Sequence, residues 1–431
     1  MTTPHPPLSI GEKIKLIRIA KGLSQENLAQ AISRSTTFIS RLEKNDAELD
    51  NKTLEAIKKY LEIEKAPLTE YELELYGSRI WAWNDLVSAR RMGEAKAQQE
   101  ELTPILDLHY EVELNMLYRM ILTRVLLAEF NLPAAEEQLA TVEVNIDEAS
   151  EDVLYLYHRN KGTLFCIYGD SKNYLAHSLQ AFELNGKKLK HDAFLLFSIG
   201  QAYAMLGRPI NALLYFERAK REFTDDLSRQ LLYSIDTYLA TIYVLLGELD
   251  KAKKMMEITL GQARSFNDEL FTGGILSILG VINSRLGNHK ASIEYSDEAL
   301  IYLQDKQGQE VAYISILVNK AGSLFQLKDY SGCEEVLSQG MALAEGDEWL
   351  TIQLETAHHL ITLKDSNSTD YLESVSLPQY RAKGSGFIMM ALDICKTLES
   401  HYRKKRATRK ADAIAKIIRD IYDEMFLGPV E

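Results

Sequence analysis

Long apolar runs are missing from this chain of 431 residues. None reaches 18, and the nearest approach, Tyr238 to Leu246, is much shorter and sits beside Asp236 and Glu248. A membrane-spanning helix is therefore not expected. Cysteine is scarce: Cys166, Cys333 and Cys395 are far apart and odd in number. They make neither a metal-binding spacing nor a disulfide framework, and a reducing cytosol suits them. Proline is scarce too, nine residues against 23 glycines, which leaves room for long helices. Basic charge falls short of acidic charge by 13, which argues against a generic nucleic-acid binder. The segment Met1 to Pro7 has neither the basic nor the apolar region of a secretory leader, so a cytoplasmic location is expected. Catalytic signatures are missing as well: there is no P-loop, no His-Glu-x-x-His and no nucleophile elbow. His358 and His359 have no third ligand at a useful spacing. Gly384-Ser385-Gly386 reads as a linker or helix start, and Met389-Met390 as core. Neither catalysis, a metal nor a cofactor is expected.

What remains is a folded composition, 46% hydrophobic and 26% charged, in a chain too long for one core. Its charge is uneven. Residues 1–45 hold seven Lys/Arg (Lys13, Lys15, Arg18, Lys21, Arg34, Arg41, Lys44) and three acids, a net +4 that leaves −17 for the rest. A small basic head on an acidic body can sit against phosphates while the body stays away from them.

The head reads as short helices. Ile10, Ile14 and Ile17 have helical spacing, and Gly22 supplies the left-handed cap. Ser24 is placed to cap a second helix that runs to about Ile32 and buries Leu28, Ala29 and Ile32. Ser35 is placed to cap a third that buries Ile39 and Leu42, and Leu54, Ile57 and Leu61 mark a fourth. The stretch from Leu23 to Glu43 resembles, without gaps, the Cro/repressor class of helix-turn-helix domains. The resemblance implies that Gln25 donates to a phosphate and that Thr36, Thr37 and Arg41 face the bases. It places Ser35 and Ser40 beside them and brings Lys44 and Asn45 to the DNA backbone. Two positions depart from that pattern. Ser33 stands where glycine is usual and must tolerate a left-handed backbone at about 1–2 kcal/mol. Arg34 stands where an apolar residue is usual.

The body repeats. Gly200, Tyr203, Gly207, Ala212, Phe216 and Ala219 follow the tetratricopeptide pattern, in which small residues let two antiparallel helices approach closely. The frame recurs at first-helix anchors Gly162, Gly200, Ala240, Gly280 and Ala321, separated by 38 to 41 residues. That exceeds the standard unit of about 34, so longer helices or loops are expected. Weaker helix pairs are expected at about 68–100, 104–142, 349–376 and 384–427, giving eight or nine pairs in a right-handed superhelix. The fold class is thus all-α: a helix-turn-helix domain over residues 1–66 and a repeat domain over 67–431, clearest at about 153–345. Such arrays line a groove with their first helices, suited to an extended peptide. The groove-facing positions include Arg159, Asn160, Gln201, Thr237, Tyr238, Thr241, Ser277, Ser284, Asn319 and Gly322, with Asn283 one residue away. Amides suit a peptide backbone because they both donate and accept. The run Arg403-Lys404-Lys405-Arg406 with Arg409 and Lys410 reads first as a solvated helix face, second as a docking site for an acidic partner or phosphate.

A Cro-like head on a long tetratricopeptide array resembles the Rgg/NprR/PlcR/PrgX regulators of Gram-positive bacteria, with the layout of the NprR branch. The resemblance implies a homodimeric transcription factor that binds double-stranded DNA and a short signalling peptide in its groove, with Asn160, Asn283 and Asn319 on the peptide backbone. The alternative it raises is a Rap-like adaptor or phosphatase that binds a response regulator of a phosphorelay. The partner surface would then lie at about 68–142, including Gln98 and Gln99.

Overall fold

The structure, a computed structural model, describes residues 10–63, 68–88, 91–108, 111–185, 193–222, 229–303, 310–363, 366–382 and 388–426. Gly384 to Gly386 and Met1 to Pro7 lie outside them. The described residues form α-helices and no strand, in two compact units, Met1–His191 and Asp192–Glu431. No helix among them is long and apolar enough to cross a membrane.

The first unit opens with α1 (Ile10–Ala20), α2 (Gln25–Ala31), α3 (Thr36–Leu42) and α4 (Asn51–Tyr60). Side-chain caps set three of these starts. Ser24 accepts the N–H of Asn27 while Asn27 accepts that of Ser24, Ser35 accepts from Phe38, and Asp50 accepts from Thr53. Ser33 adopts the left-handed backbone the turn needs, at φ 55°. Ile14, Leu16, Ile17, Leu28, Ile39, Leu42, Ile57 and Leu61 are buried together, each such burial contributing about 1.5–3 kcal/mol. Ile32 lies outside that core: it caps α2 rather than belonging to it, and is only half-buried.

Three helix pairs complete the unit: α5 (Glu70–Ser88) with α6 (Met92–Leu108), α7 (Val112–Ala128) with α8 (Leu132–Glu143), and α9 (Glu151–Ile167) with α10 (Ser171–Asn185). A 3-10 turn at Ile146–Glu148 precedes α9. The expected break between 100 and 104 is absent. Helix α6 runs on through Pro104, and the Thr103 hydroxyl donates to the Gln99 carbonyl at 2.8 Å just before it. A proline removes one helical bond, but this helix continues across the loss.

The second unit holds α11 (Ala193–Met205), α12 (Pro209–Glu222), α13 (Arg229–Leu245), α14 (Leu249–Ser265), α15 (Glu269–Arg285), α16 (His289–Leu303), α17 (Glu310–Gln326) and α18 (Tyr330–Leu343). After α19 (Glu348–Ile361) the answering arm is broken into α20 (Ser366–Tyr371), a π turn at Leu372–Ser376 and α21 (Leu377–Ala382). Pro378, the second residue of α21, follows the π turn closely, and its missing N–H leaves one carbonyl of that turn without its usual helical bond. Helices α22 (Ile388–Lys404) and α23 (Thr408–Phe426) close the unit.

The small anchors do what their spacing implies. A Cβ at Gly200 would lie 2.9 Å from the Phe216 ring, one at Gly280 3.1 Å from Ser296 Oγ, and one at Gly162 3.3 Å from Ser178 Oγ. Ala240 and Ala321 are fully buried. Helices of mostly 14–17 residues account for the long repeat.

The head has a tighter approach of its own. A Cβ at Gly11 would stand 1.9 Å from the Leu42 carbonyl oxygen, where α1 crosses the end of α3. Gly11→Ala is expected to destabilise the head by about 3 kcal/mol, the upper range for overpacking. Amide hydrogen exchange across α2 and α3 of the full chain is expected to quicken roughly 100-fold. Unchanged exchange would show that α1 packs elsewhere.

Candidate nucleic-acid interface and repeat groove

Helix α3 carries the candidate recognition face. Thr36, Thr37 and Arg41 are exposed, Ser40 is half-buried, and Ile39 and Leu42 hold the opposite side in the core. Ser35 accepts the Phe38 N–H at 3.1 Å, which leaves its hydroxyl hydrogen to donate. Asn45 is left-handed at φ 58°, and its N–H closes the helix end on the Leu42 carbonyl at 2.9 Å. Arg34 does not weaken the turn. Its guanidinium bonds Asp50 Oδ2 at 2.9 Å and Thr53 Oγ1 at 2.7 Å, which ties the turn to the start of α4. The same guanidinium lies over the Phe38 ring.

The scaffold under this face is a buried ion pair that sequence reading missed. Arg18 Nε and Nη2 donate to both oxygens of Glu43, at 2.6 and 2.9 Å, and Nη1 donates to the Leu23 carbonyl at 2.7 Å. Gln25 Nε2 joins them on Glu43 at 2.8 Å. One amide hydrogen of Gln25 is thus committed inward, and only the other is left for a phosphate.

The charge of the head is also distributed differently from its count. Lys13 pairs with Glu111, Lys15 with Glu148, Lys21 with Glu62, Arg34 with Asp50 and Arg41 with Asp46. With Arg18 on Glu43, six of the seven cations have carboxylate partners. Five of those partners lie beyond residue 45, so a local sum cannot see them. Lys21 and its hydrogen bond hold the Glu62 carboxyl below its ordinary range. Lys44 has no carboxylate partner among the described residues. The Arg41–Asp46 pair is loose, 3.6 Å apart and exposed on both sides. Such a pair is worth little in water and yields to a phosphate or a base edge.

The groove positions divide by burial. In the first unit, Arg159 is half-buried and donates to Tyr155 Oη at 3.3 Å. Asn160 is 1% exposed and donates to the Met120 carbonyl of α7 at 2.7 Å. In the second unit, Asn283 is fully buried and donates to the Leu279 carbonyl at 2.8 Å. Asn319 donates to Ser292 and Ser296 Oγ at 3.2 and 3.4 Å, and Ser323 ties Ser284 to Ser292. Asn160 and Asn319 therefore tie neighbouring helices together, while Asn283 bonds within its own helix, and each donates inside its own unit. Nearer the surface, Gln201 of α11 donates to Tyr238 Oη of α13 at 3.0 Å. Tyr238 stacks on Phe216 at 4.9 Å, the ring that Gly200 admits. Thr241 is exposed and its hydroxyl donates to the Thr237 carbonyl.

Other marked residues have structural partners. His359 stacks on Tyr371 at 4.4 Å and meets Ser368 Oγ. Met390 packs on the core of the last helices. In the basic run, Arg403 reaches Glu399 and Asp412, and Lys410 lies over the Tyr402 ring.

Residues 14–68 match the Helix-turn-helix family model. No curated protein matches the chain in sequence. Among solved structures it is similar to the apo form of the quorum sensor NprR from B. thuringiensis, at 19% identity and a TM-score of 0.68, covering 82% of this chain and 100% of that one. NprR in complex with its cognate peptide NprX is similar at 19% identity and 0.63, covering 80% and 99%. A Rap protein complexed with competence and sporulation factor is similar at 16% and 0.64, covering 81% and 98%. The fold is that of NprR and the Rap proteins. It is all-α, a helix-turn-helix followed by helical repeats.

The loose hold on Arg41 gives a test of the face. Asp46→Asn removes the competing carboxylate and keeps the Asp46 carbonyl contact to Arg41. Binding to random-sequence duplex DNA at low salt is expected to tighten by about 1.5- to 5-fold, the size of an exposed ion pair. Unchanged or weaker binding, read by fluorescence anisotropy, would take Arg41 off the DNA-facing surface.

Proposed function

We propose that this chain is a cytoplasmic, homodimeric transcriptional regulator of the Rgg/NprR/PlcR/PrgX type. It reads DNA through α3 and takes a short signalling peptide in its repeat groove. The observation that carries the reading is α3 itself. A helix-turn-helix turns Thr36, Thr37 and Arg41 outward on the same chain as a repeat fold shared with NprR, whose structure with NprX is that of a peptide complex. Residues 1–66 serve as the DNA-binding domain and 67–431 as the peptide-responsive one.

On DNA, Arg41 bonds a guanine through O6 and N7, the threonine methyls touch thymine, and Ser35, Ser40, Lys44 and Asn45 meet the phosphates with the free Gln25 hydrogen. One head has few cations to spare, so two are needed, on half-sites about 34 Å apart or a multiple of it. For the peptide, the proposed contacts are Arg159 in the first unit and Gln201, Tyr238, Thr241, Ser277 and Gly322 in the second. The buried Asn160 and Asn283 and the half-buried Asn319 support these contacts, each within its own unit. Peptide binding favours one arrangement of the repeats and thereby one arrangement of the heads.

The Rap likeness supports a second reading, an adaptor or phosphatase for a response regulator, with Gln98 and Gln99 half-buried on α6 as its surface. Deletion of residues 1–66 separates the two, because it abolishes the first output and spares the second.

Arg41→Ala is expected to cost about 1–3 kcal/mol on a duplex selected by the wild-type protein and to relax preference at one base position. Equal affinity for that duplex in a gel shift sinks the assignment of Arg41. Tyr238→Phe removes the acceptor of Gln201 and is expected to weaken a peptide found by calorimetry about fivefold, as for one lost hydrogen bond. Unaltered affinity places the peptide elsewhere.

A further inference from the structure

Glu111 stands at the N-cap of α7, where a carboxylate ordinarily accepts an N–H of the first helical turn. It makes no such bond. Its side chain, in a residue 5% exposed, turns away and takes Lys13 Nζ at 3.0 and 3.1 Å and the Leu68 N–H at 3.0 Å. Lys13 belongs to the reading head, 98 residues earlier, and its side chain is only 12% exposed. One carboxylate thus holds α1 of the head, the chain just before α5, and the start of α7. A second contact joins Lys15 to Glu148, beside α9. Residues two apart on a helix point in different directions, so the two contacts fix the rotation of α1 as well as its position. Helix α7 also takes the Asn160 amide on its Met120 carbonyl, so the head and the first groove helix of this unit rest on one element.

We infer that Glu111 is a positioning residue for DNA recognition: with Lys13 it clamps the reading head to α7 and gives it one orientation. This rests on the DNA-binding reading above. Two clamped heads in a homodimer read half-sites at a single separation, while heads released on the chain read the same half-sites at many. Breaking the clamp therefore changes spacing and leaves base preference alone.

The experiment is affinity selection from a pool of random DNA duplexes with full-length wild type, Lys13→Met, Lys13→Arg and Glu111→Gln. Lys13→Met cuts the clamp while leaving Glu111 its bond to the Leu68 N–H, so it guards against a variant that merely unfolds. The wild type and Lys13→Arg are expected to enrich paired half-sites at one separation. Lys13→Met and Glu111→Gln are expected to enrich the same half-site with separations spread over several base pairs. The inference is overturned if Lys13→Met keeps the single separation, if it loses the half-site itself, or if Lys13→Arg spreads like Lys13→Met. A wild-type protein that enriches no sequence overturns the DNA reading instead, and the clamp's role falls with it.

Discussion

The head is organised around one buried carboxylate. Glu43, at the end of α3, accepts two bonds from Arg18 and one from Gln25, so helices α1, α2 and α3 meet on a single group. Burying both charges costs several kcal/mol per ion before they attract each other, and removing one partner of such a pair costs about 3–5 kcal/mol. Hydrophobic burial alone would hold these short helices loosely, because α2 and α3 have seven residues each. The ion pair instead demands one geometry. That geometry turns Thr36, Thr37 and Arg41 to the solvent.

The same device recurs one level up. Glu111 meets Lys13 and the Leu68 N–H and joins the head to the repeats, as Glu43 joins the helices of the head. In the second unit, the buried Asp236 takes Lys220 and the Thr259 hydroxyl, at 3.0 Å for the latter. Each of these carboxylates has its charge paired and its remaining oxygen bonded, the condition under which a buried charge is tolerated. The acidic excess of the chain is thus partly structural, and much of the positive charge of the head is spent on it. Under the proposed function, a weakly charged reader would depend on pairing with a second copy, and a groove-bound signal would act through that pairing.

The fold was largely legible because its determinants are local. Ser24 and Ser35 cap three residues ahead, Ser33 supplies the left-handed turn, and Gly162, Gly200 and Gly280 mark close approaches at a regular spacing. The boundary between the pairs at about 68–100 and 104–142 was misplaced, because α6 runs across Pro104 to Leu108. The exposure of Thr36, Thr37 and Arg41 was also legible, since it follows from the helical period of Ile39 and Leu42. What sequence could not reveal is partnership over distance. Lys13 finds Glu111 at 98 residues and Lys15 finds Glu148 at 133, so a count of local charge overstates what the head offers to phosphate. The bonds of the groove asparagines were hidden for a related reason: position in a repeat gives the face of a helix, but not which carbonyl, such as that of Met120, takes the donor.

The central claim is that one chain couples a DNA reader to a peptide groove, and coupling between two binding sites is reciprocal. The direct measurement is calorimetric: the affinity of a groove-binding peptide for the free dimer, and again for the dimer saturated with its selected operator. The account predicts that the two affinities differ, by the same factor by which the peptide alters operator affinity. Equal peptide affinities in the presence and absence of DNA would contradict it, and would leave the head and the groove as independent functions on one chain.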